Sequence, residues 1–274
     1  VTDPGENNPP SNNGNGEIEI IIDEDNWIKN ISTLGNSSNG NEFEKIVRKA
    51  LQFLGFQNNS NDPQWQDGLN PEKTGGAGGL DIYANLPYQI VGECKASQDI
   101  RGDRSGAVAQ LIDIGGRYLG KENFDNCIKL IFASGQFKPL ANQSAIGNQM
   151  NVIRPETLDR LVEIKEKHPG LIQLSELKQC LEKQPFGVES DQKINEFIDQ
   201  IFNKIKIRSK IVNIVKQLLE SNIDAIHGVY SFTNNSNPLP KQEISDILIE
   251  LSSPLAGYLR KENDRFYFVK DLDN

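Results

Sequence analysis

Charged side chains lie at the ends of two short apolar runs in the N-terminal half of the 274-residue chain. Asp81 opens the first run, and Glu93 and Lys95 close the second with one residue between them. Because side chains two positions apart on a strand point to the same side, we expect Glu93 and Lys95 to share one face, roughly 7 Å apart. Cys94 is then expected to point to the opposite face.

These residues could form a reactive site if Asp81 lies beside Glu93 on a neighbouring strand. Two carboxylates and one ammonium group then meet in one place. Carboxylate oxygens suit a hard divalent cation such as Mg²⁺ or Mn²⁺, and the whole set suits a phosphate and an attacking water. The alternative is a salt-bridged strand end with no chemical role, so the surrounding elements decide between the two interpretations.

A helix is predicted over 42–55, where apolar residues recur at spacings of three and four. Asn41 is expected to cap its start, and Gly55 is expected to end it. Glu44 falls at the border of the apolar stripe, where a carboxylate can face a cleft between helix and sheet. The alternative for Glu44, taken alone, is a solvated charge on the helix surface.

Downstream, the pattern alternates between strands and helices. A glycine-rich loop over 57–79 lacks the Gly-Lys-Ser/Thr of a phosphate loop and precedes a strand, which excludes that motif. Strands at 80–85 and 88–95 are predicted to form an antiparallel hairpin. The alternation predicts an α/β sandwich around a small mixed sheet. Its further elements are helices over 105–119, 139–150 and 155–167 and a buried strand over 127–134.

The C-terminal part is predicted to be mostly helical. Apolar spacing indicates a long or broken helix over 191–221 and a helix over 240–252, and two short strands flank 261–264. Helix, helix and basic hairpin is the order of a winged helix-turn-helix. Such a module either binds DNA or only associates with other chains. The second helix is acidic, whereas a recognition helix usually carries Lys or Arg for phosphates, which favours association.

The N-terminal part is polar and acidic. Residues 1–16 are mostly Asn, Gly and Pro, which predicts a linker or disordered arm, and 32–41 is predicted to be a second loop. The segment 17–25 is expected to add at most an edge strand. Residues 1–40 hold a charge of −6 (seven acids, one Lys) out of −9 for the chain. Since the chain starts with valine, we expect a fragment of a longer protein, with a possible further domain before it.

The few cysteines and histidines limit the kinds of metal site and catalysis that the chain could support. Three cysteines without a close pair argue against a disulfide framework or a zinc site, and we expect reduced thiols in a cytoplasmic protein. His168 and His227 are the only histidines, so catalysis by a histidine base is poorly supported. No run approaches the ~20 apolar residues of a membrane span, and we expect no membrane partner.

Residues 41–167 resemble the PD-(D/E)XK nuclease superfamily and, within it, the Mrr-like restriction endonuclease group. Asp81 matches the first acid, Glu93-Cys94-Lys95 matches the E-x-K element, and Glu44 matches the acid on the first helix. The tripeptide alone is weak, and the resemblance depends on the order of the elements. One departure is Leu80, which stands where the motif has proline. The Gln-x-x-x-Tyr pattern of RecB-like members is absent.

The resemblance implies a restriction-endonuclease-like αβββαβ core with a small mixed sheet flanked by helices, plus the winged-helix-like module. It implies a metal site for Mg²⁺ or Mn²⁺ built from Asp81, Glu93, Glu44 and the backbone carbonyl of Cys94. Lys95 would orient the attacking water and stabilise the charged phosphate. Gln110 and Ser97 are auxiliary candidates, and the face of its helix on which Gln110 lies is ambiguous from the sequence.

The leading hypothesis is a metal-dependent endonuclease that cleaves DNA, in restriction, defence or DNA processing. Its domains are predicted at 1–40 (arm), 41–170 (nuclease-like) and 171–274 (C-terminal module). Double-stranded DNA and a second copy of the chain are the expected partners. One alternative is a DNA-binding or regulatory protein that uses the same fold without catalysis, and another is a ribonuclease or a nuclease activated by a sensor domain.

Overall fold

The computed structural model describes residues 27–62, 65, 67–74, 79–96, 99–102, 106–218, 226, 228–230, 239–263 and 265–272. Within them the chain is α/β, with a small mixed sheet, flanking helices and a helical C-terminal part that ends in a hairpin. Several predicted features lie outside the described residues: the linker over 1–16, the edge strand over 17–25, Ser97, His227 and most of the loop after the long helix.

The described part of the sheet has four strands in the order β1-β2-β3-β4. β1 and β2 are antiparallel, whereas β2, β3 and β4 run parallel to one another. The hairpin predicted from the sequence is therefore confirmed as a pair of strands. The strands are β1 (Ile82–Ala84), β2 (Ile90–Lys95), β3 (Ile128–Ala133) and β4 (Met150–Ile153).

Helices surround this sheet and continue past it. The chain ends in a two-stranded antiparallel hairpin, β5 (Leu259–Glu262) with β6 (Arg265–Phe268). The helices of the described residues are α1 (Asn30–Gly35), α2 (Gly40–Leu54), α3 (Ala107–Leu119), α4 (Lys121–Asn126), α5 (Pro139–Gly147), α6 (Pro155–Lys167), α7 (Leu174–Glu182), α8 (Ser190–Leu218) and α9 (Lys241–Leu251).

The helix predicted over 42–55 is α2, and it begins earlier than the sequence indicated. Its cap is Asn39 and not Asn41, because the Asn39 side chain accepts a hydrogen bond from the Glu42 N–H. Gly55 ends the helix as predicted. Its φ of 114° lies in the left-handed region, where glycine is strongly favoured at a helix end.

Some elements differ from the prediction. The loop predicted over 32–41 contains most of α1, which forms because Ile31 and Leu34 are buried and because Ser32 Oγ donates to Asp159 on α6. The segment 139–150 was predicted as one helix, but its last residue begins β4. In the described residues two strands, not three, lie between α2 and α3, so the order differs from αβββαβ. The short helices α4 and α7 were not predicted.

The sheet separates two apolar layers. Side chains of alternate strand residues, among them Ile82 and Cys94, pack in one layer with α2, α6 and α8. The intervening residues, among them Val91 and Ile131, pack in the other layer with α3 and α5. By this alternation Cys94 and Glu93 point to opposite layers, as the strand period requires.

The long helix α8 joins the sheet to the C-terminal part. It packs against β4, α6 and α7, and also against α9 and β6. These contacts cross position 170, so one apolar layer runs through both predicted domains. The division into a nuclease-like domain before position 170 and a C-terminal module after it remains a prediction. A search of the described residues found no helix with the length and apolar character needed to span a membrane.

Candidate active site

Asp81 and Glu93 meet at the end of the antiparallel pair. Ile82 pairs with Gly92 in the register of β1 and β2, which makes Asp81 and Glu93 the next facing positions. The Cys94 N–H donates a hydrogen bond of 2.8 Å to Asp81 Oδ2. The backbone of β2 therefore holds the Asp81 carboxylate against the Glu93-Cys94-Lys95 segment.

Glu93 and Lys95 share a face of β2, as the strand period predicts. Lys95 Nζ lies 2.8 Å from Glu93 Oε1, while Glu93 is only 4% exposed. The second carboxylate oxygen, Oε2, is buried and accepts no hydrogen bond from any described group. A buried carboxylate oxygen without a donor is costly, so this atom is an unfilled acceptor position.

The pKa of Glu93 is raised to about 8, with burial as the largest cause and the neighbouring Asp81 charge as the next, while Lys95 opposes the shift. Burial likewise raises the pKa of Asp81, against the hydrogen bond from Cys94 and the charge of Lys95. Burial alone lowers the pKa of Lys95, but the charges of Glu93 and Asp81 outweigh it, so this pKa is raised. The site is therefore short of positive charge when two carboxylates are ionised.

The Cys94 thiol takes no part in this arrangement. It is buried in the apolar layer that contains α2, and burial raises its pKa well above the ordinary thiol value. A thiol that holds its proton is neither a nucleophile nor a metal ligand. Cys94 therefore contributes through its backbone, whose N–H positions Asp81.

Glu44, the third predicted acid, is committed to another partner. It lies on the buried side of α2, where its Oε1 is 3.0 Å from Nη2 of Arg48, one helical turn later. Its charge still contributes to the raised pKa of Glu93, although it is the smallest of the causes. The structure thus places Glu44 near the site, but bound to an arginine that the sequence analysis missed.

Arg48 connects α2 to the backbone around Asp81. It is 1% exposed, and its Nε donates to the Asp81 carbonyl at 2.6 Å. Its Nη1 donates to the carbonyls of Asp67 (2.7 Å) and Asn70 (3.2 Å) in the loop before β1. Because Arg48 ties α2, this loop and Asp81 together, it is a positioning residue for the site. Its spacing of four from Glu44 was the available sequence signal.

Gln110 lies on α3, which packs against β2. Its Oε1 is buried and has no hydrogen-bond partner among the described groups, the same condition as Glu93 Oε2. A side-chain amide normally satisfies its oxygen when it is buried. Gln110 is therefore a second unfilled acceptor in the layer that Glu93 faces. Ser97, the other auxiliary candidate, lies outside the described residues.

The donor set fits one small divalent cation. No group of three or more His, Cys, Asp and Glu side chains in the described part of the chain could hold a metal. Mg²⁺, however, is usually bound by one or two carboxylates together with water and substrate phosphate oxygens. Asp81 and Glu93 supply that number, and Glu93 Oε2 is the carboxyl oxygen that has no hydrogen-bond partner among the described groups.

The raised pKa of Glu93 predicts how the stability of the metal-free protein depends on pH. The folded chain holds this proton up to about pH 8, whereas the ordinary value is 4.5. The folded state thus binds more protons between these values, and the free energy of unfolding falls as pH rises through that window. We expect the free energy of unfolding, measured with denaturant in EDTA at several pH values, to decline less with pH in Glu93→Gln than in the wild type. Equal declines in the two proteins contradict the assignment.

Comparisons with known proteins give no family. No protein-family model matches the chain, and neither a curated protein nor a solved structure is significantly similar to it. The class that the fold defines is therefore α/β with a small mixed sheet. Function has to be argued from the arrangement of Asp81, Glu93 and Lys95.

Proposed function

We propose that the chain is a metal-dependent endonuclease of the PD-(D/E)XK type that hydrolyses phosphodiester bonds in DNA. The observation that carries the proposal is the buried Glu93 Oε2, which has no partner in the described residues and lies on the residue that pairs with Lys95. Asp81 occupies the facing position on β1. Two carboxylates and a lysine at this strand end are the set that the sequence motif predicts.

Asp81 and Glu93 would hold Mg²⁺ or Mn²⁺, and the Cys94 carbonyl is the further ligand that the resemblance implies. The cation would supply charge neutralisation on the phosphate and a water of lowered pKa. Asp81 is held ready by the Cys94 N–H, and Arg48 fixes its backbone. Glu93 would bind the cation as the ionised carboxylate, because a nearby positive charge favours that form.

Lys95 would act on the phosphate. Its ammonium group is half-buried at the end of β2, and the neighbouring carboxylates keep it charged. A fixed positive charge in a partly desolvated site stabilises the additional negative charge of the phosphorane-like transition state. Gln110, with its unfilled amide oxygen, would accept a hydrogen bond from the attacking water or from the nucleotide.

The C-terminal part would position the DNA or a second copy of the chain. The elements α8, α9, β5 and β6 follow one another in the order of a winged-helix module. The helix α9 carries Glu243, Asp246 and Glu250, so it is a poor helix for phosphate contact. We infer that phosphate contacts of this module come from other surfaces.

A second candidate function is nucleic-acid binding without cleavage, on the same fold. The observation that favours it is the Glu44–Arg48 ion pair, which leaves two carboxylates at the site where the motif has three acids. A ribonuclease, or a nuclease switched on by a sensor domain, differs from the leading proposal only in substrate or regulation.

One experiment separates these candidates. Purified protein is incubated with supercoiled plasmid, linear duplex, single-stranded DNA and RNA, in Mg²⁺, in Mn²⁺ and in EDTA. We expect cleavage of DNA that requires a metal and leaves RNA intact. Metal-dependent cleavage of RNA alone supports the ribonuclease. Binding to DNA without cleavage in either metal supports the second candidate and contradicts the proposal.

A further inference from the structure

The part of α8 from position 200 onward is unusually basic for this chain. Residues 200–219 contain five Lys and Arg residues and no Asp or Glu, although the whole chain has a net charge of −9. Three of the five bind acids on other elements: Lys204 with Glu176 on α7, Arg208 with Glu250 on α9, and Lys216 with Asp271 after β6. These three ion pairs connect α8 to α7, to α9 and to the segment after β6.

The other two basic residues, Lys206 and Lys210, are exposed and form no ion pair within the described part of the chain. They are one helical turn apart, so they lie on the same side of α8. Asn213 and Gln217 continue this row at helical spacing, and both are exposed. We call Lys206, Lys210, Asn213 and Gln217 the α8 stripe. It spans about 16 Å of helix.

The α8 stripe borders a shallow cleft of about 320 Å³. The four residues of the stripe line it together with Ser209 and Ile214, which are 4% and 5% exposed. The polar surface that a ligand meets is therefore two ammonium groups followed by two amides. No described carboxylate lines the cleft.

We propose that the α8 stripe binds the sugar-phosphate backbone of a nucleic acid. Lysines neutralise phosphates, and Asn and Gln side chains donate to phosphate and sugar oxygens without reading sequence. An anionic membrane is a poorer partner, because a helix bound to a lipid surface needs an exposed apolar face, and the large apolar side chains beside the stripe, Ile205, Ile211 and Ile214, are buried. An acidic protein is also poorer, since protein interfaces have an apolar, aromatic-rich centre.

This inference rests on the proposed function for the identity of the polymer, and it adds where the polymer is held. It also explains how a module with an acidic α9 can contact DNA, because the contact is made by α8. Binding through the stripe is independent of sequence, so it contributes affinity and not recognition.

The test measures binding of the full chain to a short fluorescent duplex in EDTA, where no metal-dependent cleavage occurs, from about 50 to 200 mM salt. Lys206→Gln with Lys210→Gln removes both free charges of the stripe. We expect the dissociation constant to rise about tenfold at low salt, and the slope of log K against log salt to fall in magnitude by about 1.8, at about 0.9 per phosphate contact. Single-stranded DNA and RNA serve as further arms.

The matched control is Lys121→Gln with Lys167→Gln, which removes the same charge from exposed lysines on α4 and α6. We expect its slope to equal that of the wild type. A slope in the stripe variant equal to that of the control overturns the proposal for all three polymers. Tighter, stripe-dependent binding to anionic vesicles or to an acidic peptide than to any nucleic acid overturns it as well.

The stripe proposal and the nuclease proposal can be contradicted independently of each other. If the wild type cleaves DNA and the stripe variant keeps the wild-type salt slope, the stripe proposal is wrong and the proposed function stands. If no polymer is cleaved but the slope falls as expected, the stripe proposal is supported and the nuclease proposal is wrong.

Discussion

Replacing Lys95 with alanine is expected to lower the rate of metal-dependent DNA cleavage by about 10²- to 10³-fold, the usual effect of removing one fixed stabiliser of transition-state charge. Asp81→Ala should reduce cleavage at least as much, because it removes a proposed metal ligand. Lys95 forms an ion pair with Glu93, and without the lysine Glu93 can remain protonated. We therefore expect little loss of stability. Single-turnover cleavage of a plasmid measures the rate.

The surface pair Lys167–Glu163 on α6 provides the control. Lys167→Ala breaks an ion pair of similar length, but at an exposed position away from β1 and β2. We expect its cleavage rate to equal that of the wild type. Equal rates for Lys95→Ala and the wild type would show that Lys95 has no role in cleavage, and they would remove the central support for the nuclease proposal.

Arg48→Met should destabilise the protein by about 3–5 kcal/mol, the usual effect of removing one partner of a buried ion pair. The arginine is almost fully buried, and without it the Glu44 carboxylate loses this ion pair and the carbonyl of Asp81 loses the hydrogen bond from Nε. Methionine preserves most of the side-chain volume, so the loss reflects polar groups left unpaired and not a cavity. Urea unfolding of the two proteins measures the difference.

Arg117→Met is the matched control, since Arg117 pairs with Asp113 at the same spacing of four residues, but on the exposed side of α3. Its unfolding midpoint should stay close to that of the wild type. The double variant Glu44→Gln with Arg48→Met should recover part of the lost stability, because it also removes the buried carboxylate charge that Arg48 neutralises. Equal destabilisation by Arg48→Met and Arg117→Met contradicts the stabilising role of the buried Arg48 contacts.

The hairpin and the placement of Asp81, Glu93 and Lys95 could be predicted because they depend on local rules. Strand alternation alone puts Glu93 and Lys95 on one face, and a tight turn returns the chain beside itself. Whether Asp81 faced Glu93 depended on register, which the structure gives through the pairing of Ile82 with Gly92. The metal and the DNA remain predictions.

Arg48 and β4 could not be predicted in the same way. On a helical wheel an arginine is normally assigned to solvent. Its burial is favourable here because tertiary packing brings the carbonyls of Asp67, Asn70 and Asp81 to it, in addition to the ion pair with Glu44. β4 has four residues and follows directly on a helix, so its sequence lacks a periodic signal of its own. Its strand conformation comes from pairing with β3.

The packing of α8 against β4 and α6, across the predicted boundary at 170, has a consequence for the outer edge of the sheet. β4 ends the strand order, and its outer side is completed by the segment that leads into α8. Gly187 bridges Asn151, and the Ser190 hydroxyl both accepts from the Val152 N–H and donates to the Val152 carbonyl. A strand rim left bare invites pairing with another chain. Gly187 and Ser190 therefore cover this edge and disfavour its pairing with a strand of another chain.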